Sequence, residues 1–308
     1  MDVSVLVITY NHERYIEAAL SSVLSQKTAR RVEVIVSEDQ STDRTFGIVR
    51  EFAASHEAIN IIRSSSNLAS NAVVSRAISA ATGKYICLLD GDDFWTDDGK
   101  IERQADILDR EPSLSAVFHN AVVVDGDGRE IAERWTSARQ APVLDLAAMW
   151  NGNPFATCAG MMRRDSLSAL GPWYDDFFPI TDWPLYILCT SSGDIGFHDS
   201  PVGAYRLHAE GLFSALPGLG KLDQVEGFYR RMTRVCPSSR ALARAGRTRY
   251  FFDWAVAYER EGNYPVALSC LGRALRAGGV GRAVSPERFA RLGWRILSRR
   301  RLRDSGDE

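Results

Sequence analysis

The sequence predicts an α/β protein: a mixed, mainly parallel central sheet over roughly its first two thirds, followed by a small all-α region. Two observations carry this. Short β-branched runs alternate with segments of helical periodicity up to Asp93, the pattern of βαβ units that bury a parallel sheet between layers of helix. From Ser214 onward the strand pattern stops, and Pro217-Gly218-Leu219-Gly220 marks a break before a wholly helical remainder. The chain therefore divides into residues 1–215 and 216–308.

Val3–Thr9 opens the first region as a nearly continuous apolar run ending in a polar step, as a strand buried on both faces should. Residues 32–37, Ile59–Arg63 and residues 85–89 repeat the pattern. Between them, residues 14–26, 43–54 and 70–81 space apolar side chains as a helix does, for example at Ile16, Ala19, Leu20, Val23 and Leu24. Each crossover is long enough to return the chain parallel. After Asp93 the alternation loosens: residues 100–109 predict a helix, 116–124 a strand and Asp125-Gly126-Asp127-Gly128 a turn, with a mixed sheet edge expected there.

In the helical remainder, Trp254, Ala257, Tyr258, Asn263, Ala267, Leu271 and Ala274 resemble one tetratricopeptide-type helix pair, in which small residues let two helices pack closely. A single such unit needs a surface to pack on, from the first region, another protein or a second copy. The basic tail, residues 291–303, carries Leu292, Trp294, Ile296, Leu297 and Leu302. It reads either as an interfacial helix on anionic lipid or as a solvated basic end.

With 308 residues, 45% of them hydrophobic, the chain can bury a full core. Its 37 basic and 39 acidic residues nearly cancel, so nothing in the net charge calls for nucleic acid. Cys87, Cys158, Cys189, Cys236 and Cys270 form no CxxC pair and read as core residues of a reducing compartment. No signal-peptide pattern and no run of about 18 apolar residues occurs, so a cytoplasmic protein is expected, with peripheral membrane contact open to it.

Four constellations fall at or beyond strand ends, where open α/β sheets bind ligands. Val7-Ile8-Thr9-Tyr10-Asn11 leaves the first strand with an aromatic ring that can pack or stack on a base. In Glu38-Asp39-Gln40-Ser41-Thr42-Asp43, Ser41 or Thr42 caps the next helix and Asp43 suits its N-terminus, which leaves Asp39 to accept the imide N–H of uracil. Asp90-Gly91-Asp92-Asp93 crowds three carboxylates at an apolar strand's end, and a hard divalent cation is their natural partner; an acidic turn in water is the alternative. Later, Asp182 before Trp183-Pro184 serves equally as a helix cap or as a general base. Arg206 and His208 alternate onto one strand face, suiting a phosphate or metal contact.

In this order the segments resemble the family 2 glycosyltransferases, whose N-terminal domain has the GT-A fold; the likeness spans residues 3–214. The resemblance implies that Thr9, Tyr10 and Asp39 line the nucleotide pocket. Of the Asp-x-Asp, Asp90 approaches the nucleotide sugar and Asp92 binds manganese or magnesium. It makes Asp182 the general base, matches Tyr205-Arg206-Leu207-His208 to a motif giving Arg206 to the donor and His208 to the metal, and matches Arg76 loosely to the phosphates. Three positions depart from the family pattern: Glu38 where aspartate is usual, Thr181 where glutamate is common, and Ala69 in place of a glycine.

The implied reaction is an inverting displacement in which a nucleotide-sugar donor, a UDP-sugar, passes its sugar to a hydroxyl of a glycan or lipid-linked sugar acceptor, in bacterial surface polysaccharide or glycoconjugate synthesis. Aromatic residues around 150–160 and 173–178 are expected to shape the acceptor side. Thymine and guanine also offer a ring N–H to a carboxylate, so the base contact alone leaves them open. A sugar nucleotidyltransferase would carry a glycine-rich phosphate loop where this chain has Thr9-Tyr10-Asn11-His12-Glu13. A transferase-like scaffold with a lost sugar site is the non-enzymatic alternative, opposed by the retention of Asp39, Asp90, Asp92 and Asp182.

Overall fold

The computed structural model describes residues 1–136, 139–212 and 216–304, with side chains through residue 299. Ser214 and the side chains of Leu302 and its neighbours in the basic tail lie outside what is described. The chain forms two compact units, one of Met1–Leu146 with Pro154–Ala215, the other of Ala147–Asn153 with Leu216–Glu308. The short segment before Pro154 thus joins the helical unit, although the sequence places it in the first region.

The first unit is built on a ten-stranded sheet. Its strands are β1 (Val3–Thr9), β2 (Val32–Glu38), β3 (Ile59–Arg63), β4 (Tyr85–Asp90), β5 (Phe94–Trp95), β6 (Leu114–Val124), β7 (Glu130–Ala132), β8 (Val143–Leu144), β9 (Gly160–Arg163) and β10 (Asp194–Arg206). The order is β3-β2-β1-β4-β9-β6-β10-β5, with β7 on β6 and β8 on β10. β1 to β4 pair in parallel, connected by α1 (Ile16–Leu24), α2 (Thr45–Ser55) and α3 (Ala72–Ala80). Val3, Val5 and Val7 of β1 pack with Ile16 and Leu20 of α1, Val34 and Val36 of β2, and Cys87 and Leu89 of β4. Burial on both faces explains why these strands read as continuous apolar runs.

The expected mixed edge forms, β5 ending the sheet antiparallel to β10, and the mixing also reaches inward. β9 runs antiparallel between β4 and β6, and β10 then lies parallel to β6. β9 is only four residues long, too short for periodicity to show. Its first residue must be glycine: a Cβ on Gly160 would lie 2.2 Å from the Phe118 ring. β10 is obscured by Asp199-Ser200-Pro201, where its register against β6 shifts. α4 (Lys100–Arg110) and the Asp125–Gly128 turn form as expected, and α6 (Trp183–Thr190) precedes β10.

The second unit holds α5 (Leu146–Asn151), α7 (Gly218–Val235), α8 (Arg240–Arg260), α9 (Tyr264–Ala277) and α10 (Pro286–Asp304). α8 and α9 form a helical hairpin. Asn263 caps α9 by accepting from the Val266 N–H, Gly278 ends it at φ 74°, and Ala267, Cys270, Leu271 and Ala274 face inward. Trp254 points outward instead of into the hairpin. Trp150, expected near an acceptor, is wholly buried in this unit; it stacks on Tyr229, whose hydroxyl donates to the Trp150 carbonyl at 2.7 Å.

Candidate active site

The loops after β1, β2 and β4 converge at the C-terminal edge of the parallel strands. Asn11 turns the chain at φ 54°, donates its N–H to Ser41 Oγ (3.0 Å) and accepts from the Thr42 N–H (2.9 Å). Ser41 and Thr42 therefore tie the β1 loop to the β2 loop and do not cap α2. Asp43 alone serves that helix end, accepting from the Thr45 N–H at 2.9 Å. The ring of Tyr10 is 37% exposed.

Asp39 is 5% exposed yet fixed in direction. Its Oδ1 accepts from Ser64 Oγ at 2.5 Å, and its Oδ2 from the Leu68 N–H at 3.0 Å. Arg76 sits behind this pair, donating to Ser64 Oγ (2.7 Å), Ser37 Oγ (2.8 Å) and the Glu38 carbonyl (3.0 Å). These contacts make Arg76 the brace of the Asp39 pocket; its guanidinium is directed at protein oxygens, whereas the sequence offered it to the phosphates. Glu38, the departure from aspartate, is wholly buried. It accepts from the Ser41 N–H (2.5 Å) and from Arg63 Nε (2.7 Å), and the longer side chain makes that ion pair.

Two expected results follow. Ser64→Ala removes a hydrogen bond to a buried carboxylate and should destabilise the fold by about 1–3 kcal/mol, read as a lower Tm. Ala69 lies at φ 43°, the left-handed region that a Cβ disfavours, so Ala69→Gly should stabilise the fold by roughly 0.5–1 kcal/mol, read as a higher Tm. A lower Tm would refute that reading.

At the end of β4 the Gly91 N–H donates to the Ile8 carbonyl (2.8 Å), and a Cβ on Gly91 would lie 2.8 Å from His12 Nδ1 and from Thr9 Oγ1. This close approach presses the β1 loop against the carboxylates. Burial, then the charges of Asp92 and Asp182, pushes the Asp90 carboxyl up to about 8. Asp93 rises for the same reasons, burial first and then Asp92 and Asp90. Asp92 is half-buried and ends below the ordinary range, because His208 hydrogen-bonds to it and His12 stands beside it. His208 Nε2 lies 2.9 Å and His12 Nε2 3.8 Å from Asp92 Oδ2.

Arg206 is 7% exposed and holds this loop in place. Its N–H donates to Asp93 Oδ1 (2.8 Å), and its guanidinium donates to the carbonyls of Asp92 (2.7 Å), Asp125 (3.1 Å) and Gly126 (3.3 Å), 4.6 Å from the Tyr15 ring centre. In this arrangement Arg206 positions Asp92, whereas the sequence offered it to the donor.

Asp182 caps α6: its Oδ1 accepts from the Trp183 N–H at 2.7 Å, and Thr157 Oγ1 donates to its Oδ2 at 3.4 Å. The cap and the base use different oxygens, so the two readings are compatible. Asp182 is also close enough to help raise Asp90.

The sequence profile described as glycosyl transferase family 2 matches residues 4–171, more than half of the chain. The chain belongs to this family. An uncharacterised protein of Mycobacterium tuberculosis is 34% identical over 215 residues, 68% of this chain and 60% of that protein, so the match spans less than two thirds of the relative's length. Among solved structures, Staphylococcus aureus TarS 1-349 in complex with UDP-GlcNAc superposes with a TM-score of 0.67 at 18% identity, covering 97% of this chain and 89% of that one. The mannosyltransferase PcManGT from Pyrobaculum calidifontis, in complex with GDP-Man and Mn2+, gives 0.54 at 18% identity, covering 99% and 87%. At such identity the likeness shows the fold, which is GT-A.

In this glycosyltransferase a metal would be held by few protein groups. Among the described residues no cluster of three His, Cys, Asp or Glu side chains stands ready for an ion. Asp92 and His208 nevertheless offer one carboxylate and one imidazole 2.9 Å apart, beside two carboxyls raised by burial first and then by neighbouring charge. That donor set fits a hard divalent ion whose other positions go to water and phosphate. The sequence reading did not single out His12, Tyr15, Ser64 or Thr157. Each is a lone residue without motif spacing, and only the tertiary fold brings it to the site. On the expected acceptor side, Tyr174 and Phe177 are buried. Trp173 and Phe178 are half-buried, and outside those segments Trp135, 36% exposed, lies 4.2 Å from the Tyr205 ring.

Proposed function

We propose that this family 2 transferase takes a sugar from a nucleoside diphosphate donor, a UDP-sugar, and passes it with inversion to a hydroxyl of a glycan or lipid-linked acceptor in surface polysaccharide or glycoconjugate synthesis. The observation that carries the proposal is the convergence of Asp90, Asp92 and Asp182, close enough for their charges to perturb one another. A preoriented Asp39 stands at the end of β2, on the other side of β1 from β4.

Asp39 accepts the imide N–H of the base while Tyr10 stacks on it. Asp92 and His208 would hold magnesium or manganese, which would supply neutralisation of the departing diphosphate's charge. Asp90 faces the donor sugar. Asp182, oriented by the α6 terminus and Thr157, removes the acceptor's proton as its oxygen attacks the anomeric carbon from the side opposite the diphosphate. UDP-GlcNAc in TarS and GDP-Man with Mn2+ in PcManGT support a nucleotide sugar and a metal as the ligand classes.

Calorimetry with uridine, thymidine, guanosine and cytidine diphosphates, each with and without manganese, tests the reading. Manganese-dependent binding led by uridine diphosphate is the expected result. Tightest binding of another base would overturn the donor assignment, and no binding at all would overturn the reading.

A further inference from the structure

α10 carries two apolar stripes, and the second unit uses only one of them. On the inner side Leu292 is 2% exposed and Ile296 is fully buried. The side chains of Arg295 and Arg299 are drawn to Glu259, itself 4% exposed on α8, at 3.0 and 2.8 Å. These anchors fix the rotation of the helix about its axis. At 100° per residue, Trp294 and Leu297 must then project from the opposite side. They do: Trp294 is 71% and Leu297 51% exposed.

A single exposed apolar residue needs no explanation. Here a tryptophan and a leucine lie one turn apart on the outer face of a helix whose inner face is already filled. The charge around them is one-sided. Residues 286–304 contain seven arginines against two acids, Glu287 and Asp304. Among the described residues Glu259 pairs with Arg295 and Arg299, and by sequence the segment keeps an excess of positive charge. Tryptophan beside arginine suits the boundary of an anionic bilayer, where the ring enters the headgroup layer and guanidinium groups meet lipid phosphates. An acidic protein or polymer would use the arginines and leave the exposed apolar pair without a partner. No described helix is long and apolar enough to cross a membrane, which leaves contact from one side.

We propose that the outer face of α10 docks on an anionic lipid surface, with Trp294 and Leu297 inserted among the headgroups and the excess of arginines drawn to lipid phosphates. The geometry reassigns the apolar contacts of the basic tail: Leu292 and Ile296 serve the fold, and Trp294 and Leu297 serve the bilayer.

The test is co-sedimentation of the full chain with phosphatidylcholine vesicles, with and without phosphatidylglycerol, at low and high salt. Binding should require phosphatidylglycerol and weaken with salt, as for any contact led by charge. The double variant Trp294→Ser, Leu297→Ser should partition about tenfold less or weaker still, because partial burial of both side chains is lost. Its circular dichroism and Tm should match wild type, since both positions are exposed. Brominated lipids should quench part of the wild-type fluorescence, and Trp294→Phe should lose that part. Arg295→Gln should lower Tm while leaving vesicle binding nearly unchanged. Absence of vesicle binding, equal binding to neutral vesicles, or wild-type partition by the double variant would overturn the proposal. So would capture by soluble polyglutamate without capture by vesicles.

Discussion

Asp182→Asn should reduce sugar transfer by about 10²–10⁴-fold, the usual contribution of a general base, with nucleoside diphosphate affinity unchanged. The choice of asparagine follows from the two roles this side chain plays. As the cap of α6, Asp182 accepts from the Trp183 N–H, and asparagine caps a helix about as well as aspartate. The substitution therefore keeps the helix end and removes the proton acceptor. Asp182→Ala would confound the roles, since losing a cap costs about 1 kcal/mol by itself. Donor turnover by the two variants, compared with their Tm values, separates the contributions. The Asn variant should be inactive at wild-type Tm, and the Ala variant inactive at a lower Tm. An active Asn variant would reduce Asp182 to a cap; one that had lost nucleotide affinity would make it a donor contact.

The parts of the fold and site legible in the sequence share a physical cause, and so do the parts that were not. β1 to β4 are buried on both faces, so apolar runs broken by helical spacing declare them directly. Asp39, Asp90 and Asp92 stand at the ends of those runs, and a charged residue at the end of a buried strand is visible without a structure. β9 and β10 are hidden because one is short and the other is interrupted by Asp199-Ser200-Pro201. The contrast between Asp39 and Arg76 is similar. An isolated acid after a strand is informative, but whether an arginine on α3 reaches a ligand or braces a neighbour depends on what β3 brings beside it, here Ser64. The aromatic residues misled for the same reason: composition does not tell Trp150, wholly buried, from Trp135, whose ring is accessible.

Asp92→Asn should abolish most of the manganese-linked nucleotide affinity, by on the order of 10²-fold, since even outer partners of metal ligands commonly cost 10–100-fold. The same variant should also lower Tm in the absence of metal, because a carboxylate held below its ordinary range contributes stability that a neutral amide loses. The loss should be small: the Asp92 charge also helps to raise Asp90 and Asp93, a repulsion that the amide relieves, and asparagine retains an oxygen that can accept from His208. The further rise that manganese and uridine diphosphate give the wild type should shrink or vanish. His208→Ala supplies the second case. It removes the second donor without removing the repulsive charge, so it should lose the metal-linked rise and also lower Tm in the absence of metal, because Asp92 then loses its 2.9 Å partner. Thermal unfolding of both variants, with and without manganese and nucleotide, reads all four values. Retention of the manganese-linked rise by both would move the cation away from Asp92 and His208, and a higher Tm for metal-free Asp92→Asn would mean that the crowding of the three carboxylates outweighs the bond from His208 to Asp92.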